Sequence, residues 1–236
     1  MKILSIDSST KAASAAIVDN GKILAEYFLN TGFTHSQTLM PIIDHVLKES
    51  GSSLKDIDLI SVTLGPGSFT GVRIGVASAK GLAFSENLPV IGVSALEALA
   101  YNLIGMKDEF LISPVIDARC GQVYNALFKY NNGTIERITE DRVIKITDLA
   151  DCVKECDLPV YIIGDGTAPC LKEVSFPEVL TVPAALSEIR ASSAALASIK
   201  IFEEKGACDS SSIQPIYLQL PQATRELKKK TEANKN

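Results

Sequence analysis

The residues best placed to do chemistry form a glycine-rich stretch at positions 65–71, Gly-Pro-Gly-Ser-Phe-Thr-Gly, which follows an apolar run and precedes a helix-like run at 72–84. A loop that leads from a strand into a helix can bind an anion, because the first N–H groups of a helix have no partner within it. The spacing matches neither a nucleoside-triphosphate loop nor a dinucleotide fingerprint. Two interpretations stay open: a phosphate-binding loop, or a structural loop whose glycines let two backbone segments approach closely.

Two aspartates, Asp7 and Asp117, each end an apolar run. A carboxylate at the end of a strand can hold a hydrated Mg²⁺, although an aspartate there more commonly forms a turn. The two histidines, His35 and His45, lie ten residues apart and face different sides of a helix, so they cannot bind one metal ion together. No Gly-x-Ser-x-Gly nucleophile elbow occurs. We therefore predict no catalytic residue, no metal site and no cofactor.

The charge of the chain is unevenly distributed. Its 236 residues carry a net charge of −5, and residues 221–236 contribute five Lys or Arg and two Glu, or +3, which leaves −8 for the rest. An acidic body binds nucleic acid poorly, since affinity for phosphate backbones comes from clustered Lys and Arg. We expect tRNA contact only through a complex, and we expect the basic tail at 221–236 to be disordered.

Cysteine usage and hydropathy indicate the cellular compartment of the protein. The five cysteines form no Cys-x-x-Cys pair and are odd in number, which is typical of free thiols in a reducing environment. The amino terminus runs directly into a strand-like segment without the features of a signal peptide. No run approaches the roughly 20 apolar residues of a membrane-spanning helix. These patterns predict a cytoplasmic protein without membrane contact.

Residues 3–28 and 113–139 repeat one pattern: a strand ending in Asp, a turn, a second strand, Asn-Gly and a third strand. The Asn-Gly pairs favour hairpin turns, because both turn positions need positive φ. Helices and strands alternate after each repeat, which indicates an internal duplication and an α/β fold of two similar lobes, each a mixed sheet with flanking helices. We predict one strand at 122–129, lobes at 1–106 and 107–220, and a last helix at 187–205 that packs back on the first lobe.

The duplicated pattern resembles the actin-like ATPase superfamily, whose lobes have an RNase H-like fold. Within it, the chain resembles the TsaB (YeaZ) family from Met1 to about Leu220, and the glycine-rich block is highly specific to that family. Gln219 departs from the family pattern, which has Arg there. The motifs that carry the resemblance are Ile6-Asp7-Ser8-Ser9-Thr10, His35-Ser36, residues 65–75, Lys80-Gly81-Leu82-Ala83, Asp117-Ala118-Arg119 and Val123-Tyr124.

The resemblance implies a subunit of the bacterial machinery that makes N6-threonylcarbamoyladenosine in tRNA. In that machinery the related subunit TsaD is the catalyst, a TsaB-like protein binds it, and the ATPase TsaE joins them. Actin-like nucleotide sites use Asp-x-Gly turns, but Ser9 and Arg119 stand at the glycine positions here and would crowd a phosphate. The resemblance thus implies a non-catalytic subunit with a vestigial nucleotide site at Asp7, Ser9, Asp117, Gly164 and Gly166.

An enzyme remains the alternative: a weak ATPase or small-molecule kinase with a nucleotide site between the lobes. For the non-catalytic subunit, we predict an interface with a TsaD-like protein, or with a second copy when the protein is alone. Small residues on one face of the helix after residue 71 either admit a partner helix or pack on the chain's own sheet. The predicted interface comprises Met40, Asp44, Gly71, Arg73, Gly75, Ser78, Ala79 and Leu82.

Overall fold

The computed structural model describes residues 1–154, 157–173 and 179–219. The predicted basic tail at 221–236 lies outside these residues. The first lobe contains strands β1 (Lys2–Asp7), β2 (Ala13–Asp19), β3 (Lys22–Leu29), β4 (Leu59–Thr63) and β5 (Val90–Val93), with helices α1 (His35–Glu49), α2 (Phe69–Glu86) and α3 (Ala95–Ala100).

The second lobe contains one long strand, its first, and several short strands. These are β6 (Glu109–Arg119), β7 (Gln122–Asn125), β8 (Phe128–Asn131), β9 (Thr134–Arg137), β10 (Arg142–Lys145), β11 (Val160–Ile163) and β12 (Val179–Thr181). Its helices are α4 (Ile146–Lys154) and α5 (Thr167–Glu173), and α6 (Ala191–Lys205) follows the last strand. No helix in the described ranges is long and apolar enough to cross a membrane.

The two sheets share one arrangement around their first strands. In the first lobe the order is β3-β2-β1-β4-β5, with β1 antiparallel to β2 and parallel to β4. In the second, β6 is antiparallel to β7 and β8 and parallel to β11, which pairs with β12. Positive φ angles at Asn20, Gly21, Asn132 and Gly133 form the predicted hairpin turns. The predicted α/β class, two mixed sheets flanked by helices, is confirmed.

The predicted single strand at 122–129 is wrong, because the chain breaks into β7 and β8 around Ala126. The cause is the buried side chain of Asn125, whose amide nitrogen donates to the Ser113 hydroxyl and to the carbonyls of Pro114 and Ala126, each at 3.0 Å. Its oxygen accepts two bonds from Arg142 at 3.0 and 3.1 Å. The buried amide therefore holds the chain out of regular strand geometry.

Helix α6 begins at Ala191, four residues later than predicted. The carboxylate of Glu26 on β3 determines this start, since it accepts the Ser192 N–H at 3.0 Å and the Ser192 hydroxyl at 2.9 Å. Arg190 adds two further bonds to Glu26 at 2.8 and 3.2 Å. Helix α6 then buries alanines in a core cluster that also contains Ile3 of β1 and Ile112 of β6. Residues of both sheets thus share one core.

Candidate functional site

A cleft of ≈ 430 Å³ lies between the two lobes. Its walls are formed by the turn after β1 (residues 9–11), the glycine-rich loop (66–69), the end of β6 (117–119) and the segment 216–219. The duplication explains the location, because β1 and β6 are equivalent central strands and each ends in a turn at this edge. The cleft therefore corresponds to the interlobe position where the sequence analysis placed a possible nucleotide site.

Asp7 is fully buried behind the cleft. Its Oδ1 accepts bonds from the Ser9 N–H at 3.1 Å, the Ser9 hydroxyl at 2.6 Å and the Thr63 hydroxyl at 2.5 Å. Its Oδ2 has no hydrogen-bond partner among the described residues. Burial raises the pKa of Asp7, while hydrogen bonds from Ser9 and Thr63 oppose the rise. A fully enclosed carboxyl group does not suit Mg²⁺, which keeps several of its waters when bound.

The raised pKa of Asp7 predicts a specific pH dependence. Native Asp7 keeps its proton at pH values where the unfolded chain has released it, so the free energy of unfolding falls as pH rises above 3.8. The fall ends above the native pKa. Asp7→Asn keeps the Oδ1 acceptor but cannot titrate, so the wild-type protein should lose stability relative to this variant between those limits. Urea unfolding of both proteins across acidic and neutral pH measures the difference, and parallel pH profiles would contradict the prediction.

The glycine-rich loop packs directly on the turn after β1. The Ser68 N–H donates to the Ser9 carbonyl at 2.6 Å, and a Cβ added at Gly67 would lie 2.0 Å from that oxygen. The Ser68 hydroxyl caps α2 by accepting the Gly71 N–H at 3.2 Å. These contacts favour the structural interpretation of the loop, since its glycines admit the chain's own backbone where a phosphate would otherwise approach.

The backbone N–H groups at the end of β6 are also bonded within the chain. The Arg119 N–H donates to the Asp117 carboxylate at 2.8 Å, and the Asp117 N–H donates to Asp165 at 3.0 Å. Arg119 has a φ of 70° and an exposed side chain at the rim of the cleft. The N–H groups of Asp117 and Arg119 therefore already have acceptors, and an arginine stands where an Asp-x-Gly turn has glycine.

Gly164 and Gly166 pack on the backbone of β6 and do not line the cleft. An added Cβ would lie 2.1 Å from the Val115 carbonyl oxygen at Gly164 and 3.1 Å from it at Gly166. The absence of a side chain at these two glycines thus allows the turn after β11 to lie directly against the backbone of β6. Of the five residues in the predicted vestigial site, the cleft lining includes Ser9 and Asp117, while Asp7, Gly164 and Gly166 lie behind it.

Acidic groups accumulate beside the cleft. Burial raises the pKa of Asp165 and of Glu188, and the Asp165 charge raises the pKa of Glu188 further, while Lys11 opposes both shifts. These carboxylates surround backbone turns whose N–H groups are already bonded, and their negative charge repels that of a triphosphate. In the described part of the chain, no three His, Cys, Asp or Glu side chains are arranged to hold a metal ion.

The predicted interface residues on α2 divide between two faces. Gly71, Gly75 and Ala79 are buried within the chain, and an added Cβ at Gly75 would lie 2.5 Å from the Ser8 hydroxyl oxygen. Ser78 and Leu82 are partly buried, whereas Arg73 is exposed. On α1, Asp44 is exposed and so is Met40, at 47%. The small-residue stripe thus packs on the chain itself, the alternative that the sequence left open.

The exposed stripe of α2 contains one predicted interface residue, Arg73, together with Ala77, Gly81 and Phe84. Phe84 is 84% exposed, which is unusual for an aromatic side chain on a helix. The sequence analysis missed Ala77, Gly81 and Phe84, although their spacing of three to four residues was a usable signal. Because α2 has two stripes of small or apolar residues, helical spacing alone does not show which stripe packs against the sheet.

The carboxy-terminal strap, which we define as residues 206–219, runs along α2 to the cleft. The Tyr217 ring lies 4.9 Å from the Phe69 ring, and the Gln219 amide nitrogen donates to the Gln122 side chain at 3.2 Å. Gln219, where the family pattern has Arg, therefore contacts the second lobe at the mouth of the cleft. The sequence analysis assigned no role to Phe69 or Tyr217, because the contact joins residues far apart in the chain.

Comparisons with known proteins agree with this architecture. A family model described as TsaD, tRNA N6-adenosine threonylcarbamoyltransferase, matches residues 23–230. The chain is 37% identical over 226 residues to "tRNA threonylcarbamoyladenosine biosynthesis protein TsaB" of Bacillus subtilis, covering 94% of this chain and 96% of that protein. The structure of YeaZ from Pseudomonas aeruginosa superposes with a TM-score of 0.81 at 26% identity, covering 92% of this chain and 99% of that chain.

A catalytic relative is similar over a shorter range. The tRNA N6-adenosine threonylcarbamoyltransferase of Brachyspira hyodysenteriae is 36% identical over 118 residues, which is 43% of this chain and 35% of that protein. Similarity to both kinds of protein indicates a common fold with shared ancestry.

Proposed function

The chain belongs to the TsaB family of tRNA threonylcarbamoyladenosine biosynthesis proteins, and from this membership we propose that it is a non-catalytic subunit that binds a TsaD-type threonylcarbamoyltransferase. A TsaE-type ATPase joins the pair, and tRNA is contacted through the complex. In the absence of the TsaD-type subunit, the same surface pairs two copies of this chain.

The observation that carries the non-catalytic role is the internal bonding of the interlobe turns. The Ser68 N–H is bonded to Ser9, the Ser9 N–H to Asp7, and the Arg119 N–H to Asp117. Backbone N–H groups of this kind are what phosphate-binding turns offer to a nucleotide. Because they already have acceptors, a nucleotide would have to displace native contacts. This supports a protein that works through its surface.

The exposed side of α1 and α2 supports the choice of surface. Met40, Ala77 and Phe84 place apolar groups on it, and Gly81 leaves room for close approach of a helix. Related helices are expected in a TsaD-type subunit, since the TsaD family model matches residues 23–230, a range that includes α1 and α2. Helix-on-helix packing between related lobes is therefore the proposed mode of association.

Ala77→Arg tests this interface. The side chain at 77 is exposed, so arginine should not disturb the fold, but it should lower affinity for the TsaD-type subunit at least tenfold, about 1.4 kcal/mol. Ala168→Arg, an exposed alanine on α5 of the other lobe, is the matched control and should bind normally. Calorimetric titration with the purified TsaD-type subunit measures both. Equal affinity for the two variants would refute the interface.

A further inference from the structure

Arg73 is held in an unusual position on the exposed stripe of α2. Its guanidinium carbon lies 3.8 Å from the centre of the Phe69 ring, and its Nε donates to the Tyr217 hydroxyl at 2.7 Å. Within the described ranges, its two terminal nitrogens form no hydrogen bond or ion pair. The side chain is exposed although its orientation is determined by two aromatic rings. Arg73 is therefore a cation whose orientation is set before a partner binds. Its two terminal nitrogens have no acceptor among the described residues.

The strap fixes the Tyr217 end of this arrangement. Val90 and Cys208 exchange two backbone hydrogen bonds at 3.0 and 2.9 Å, and the Ile216 N–H donates to the Leu64 carbonyl at 2.8 Å. Between these points Ile213 is buried in the core under α2. The strap is thus attached to the first lobe on both sides of Ile213, and the second attachment, at Ile216, directly precedes Tyr217. The strap therefore holds Tyr217 in place beside the exposed stripe of α2.

We propose that Arg73 is the anchor of the partner surface and receives a carboxylate of the TsaD-type subunit. The proposal rests on the proposed function. Arginine binds carboxylates through two parallel hydrogen bonds, and a side chain fixed before binding loses less conformational entropy on association. Tyr217 and Phe69 supply that fixation.

The character of the rest of the stripe supports an acidic partner group. Ala77, Gly81 and Phe84 carry no charge, and Lys80, seven residues after Arg73 on the same side of α2, donates to the Ser211 carbonyl at 3.1 Å. Arg73 is therefore the cation of the stripe whose terminal nitrogens have no acceptor among the described residues. When a partner covers an apolar stripe, a cation at its end loses water and must be compensated by an anion. The Asp44 carboxylate of α1 is paired with Lys48, and no ion pair of Arg73 occurs among the described residues. A carboxylate from the partner meets this requirement.

Three variants test the anchor by titration of the TsaD-type subunit. Arg73→Ala is expected to weaken binding at least tenfold. Arg73→Lys should weaken it nearly as much, because an ammonium group cannot form the two parallel bonds. Tyr217→Phe keeps the ring stack and should weaken binding about threefold through loss of one orienting hydrogen bond. Raising the salt concentration should weaken the wild-type complex more than the Arg73→Ala complex.

The outcomes separate this inference from the proposed function. If Arg73→Ala binds normally while Ala77→Arg does not, the anchor is refuted and the interface stands. If both bind normally, the interface is refuted and the anchor with it. Full affinity of Arg73→Lys would refute the bidentate contact. If Arg73→Ala weakens only self-association, measured by sedimentation, the partner assignment is wrong. Circular dichroism and thermal unfolding of each variant control for folding, and Arg73→Lys and Tyr217→Phe preserve the packing that Arg73→Ala removes.

Discussion

Gly71→Ala is expected to lower the free energy of unfolding by about 3 kcal/mol or more, at the upper end of the cost of overpacking an interior. The added Cβ would lie 2.1 Å from the Ser8 carbonyl oxygen and 3.1 Å from a ring carbon of His35. The nearer atom belongs to the backbone, so a change of rotamer does not relieve the clash. The Ser8 hydroxyl also donates to the Gly71 carbonyl at 2.9 Å, a buried bond that any displacement would break.

Gly81→Ala on the same helix is the matched control. No atom lies within 4 Å of a Cβ added there, and the residue is exposed. Alanine at an exposed helical position should raise the free energy of unfolding by about 0.8 to 1 kcal/mol, because glycine has a larger loss of backbone entropy on folding. Urea unfolding followed by circular dichroism measures both variants. Destabilisation of similar size at the two positions would show that the contact with Ser8 is not the cause.

Glu26→Ala is expected to lower the free energy of unfolding by about 2 to 3 kcal/mol, less than the cost of breaking a fully buried pair because Arg190 is partly exposed. The Glu26 carboxylate accepts four hydrogen bonds: two from Arg190 and two from Ser192 at the start of α6. Its removal leaves the Arg190 charge without its partner and the first turn of α6 without an acceptor. Because α6 lies in the core shared by the two sheets, loss of the Glu26 carboxylate should lower the free energy of unfolding of the whole protein. It should not merely loosen the first turn of α6.

A surface ion pair provides the comparison for Glu26. Glu109 and Lys129 form a close ion pair with both side chains substantially exposed. Glu109→Ala should have little effect on stability, because solvent screens such pairs. Urea unfolding distinguishes the two variants, and Glu26→Gln separates charge from capping, since it keeps an oxygen acceptor for Ser192. A Glu26→Ala protein as stable as Glu109→Ala would contradict the assigned role of the α6 cap.

The elements of this fold were largely predictable because their signals are local. The Asn-Gly turns depend on the φ preferences of two adjacent residues, and strands such as β11 (Val160–Ile163) coincide with short apolar runs. The errors arose where a distant residue intervened. Asn125 divides a predicted strand through bonds to β6, and Glu26 on β3 sets where α6 begins, 165 residues later in the chain.

The candidate site was less predictable, and α2 shows why. The helix carries small or apolar residues on two faces, so helical spacing identifies a stripe without identifying the side that faces the sheet. The position of Ser8 decides it, because Ser8 lies against Gly71 and Gly75 and leaves Ala77 and Phe84 outside. Similarly, no local pattern places Tyr217 beside Arg73, since the contact depends on the course of the strap.

The sequence by itself determined the duplicated α/β architecture, the hairpin turns and the family, because these follow from short-range preferences and specific motifs. Tertiary structure alone decided that the glycine-rich loop packs on the turn after β1, that the N–H groups of Ser9, Ser68, Asp117 and Arg119 are already bonded, and which face of α2 is exposed. The physical reason is that hydrogen bonding and burial are properties of pairs of atoms, and the second atom of each pair lies elsewhere in the chain.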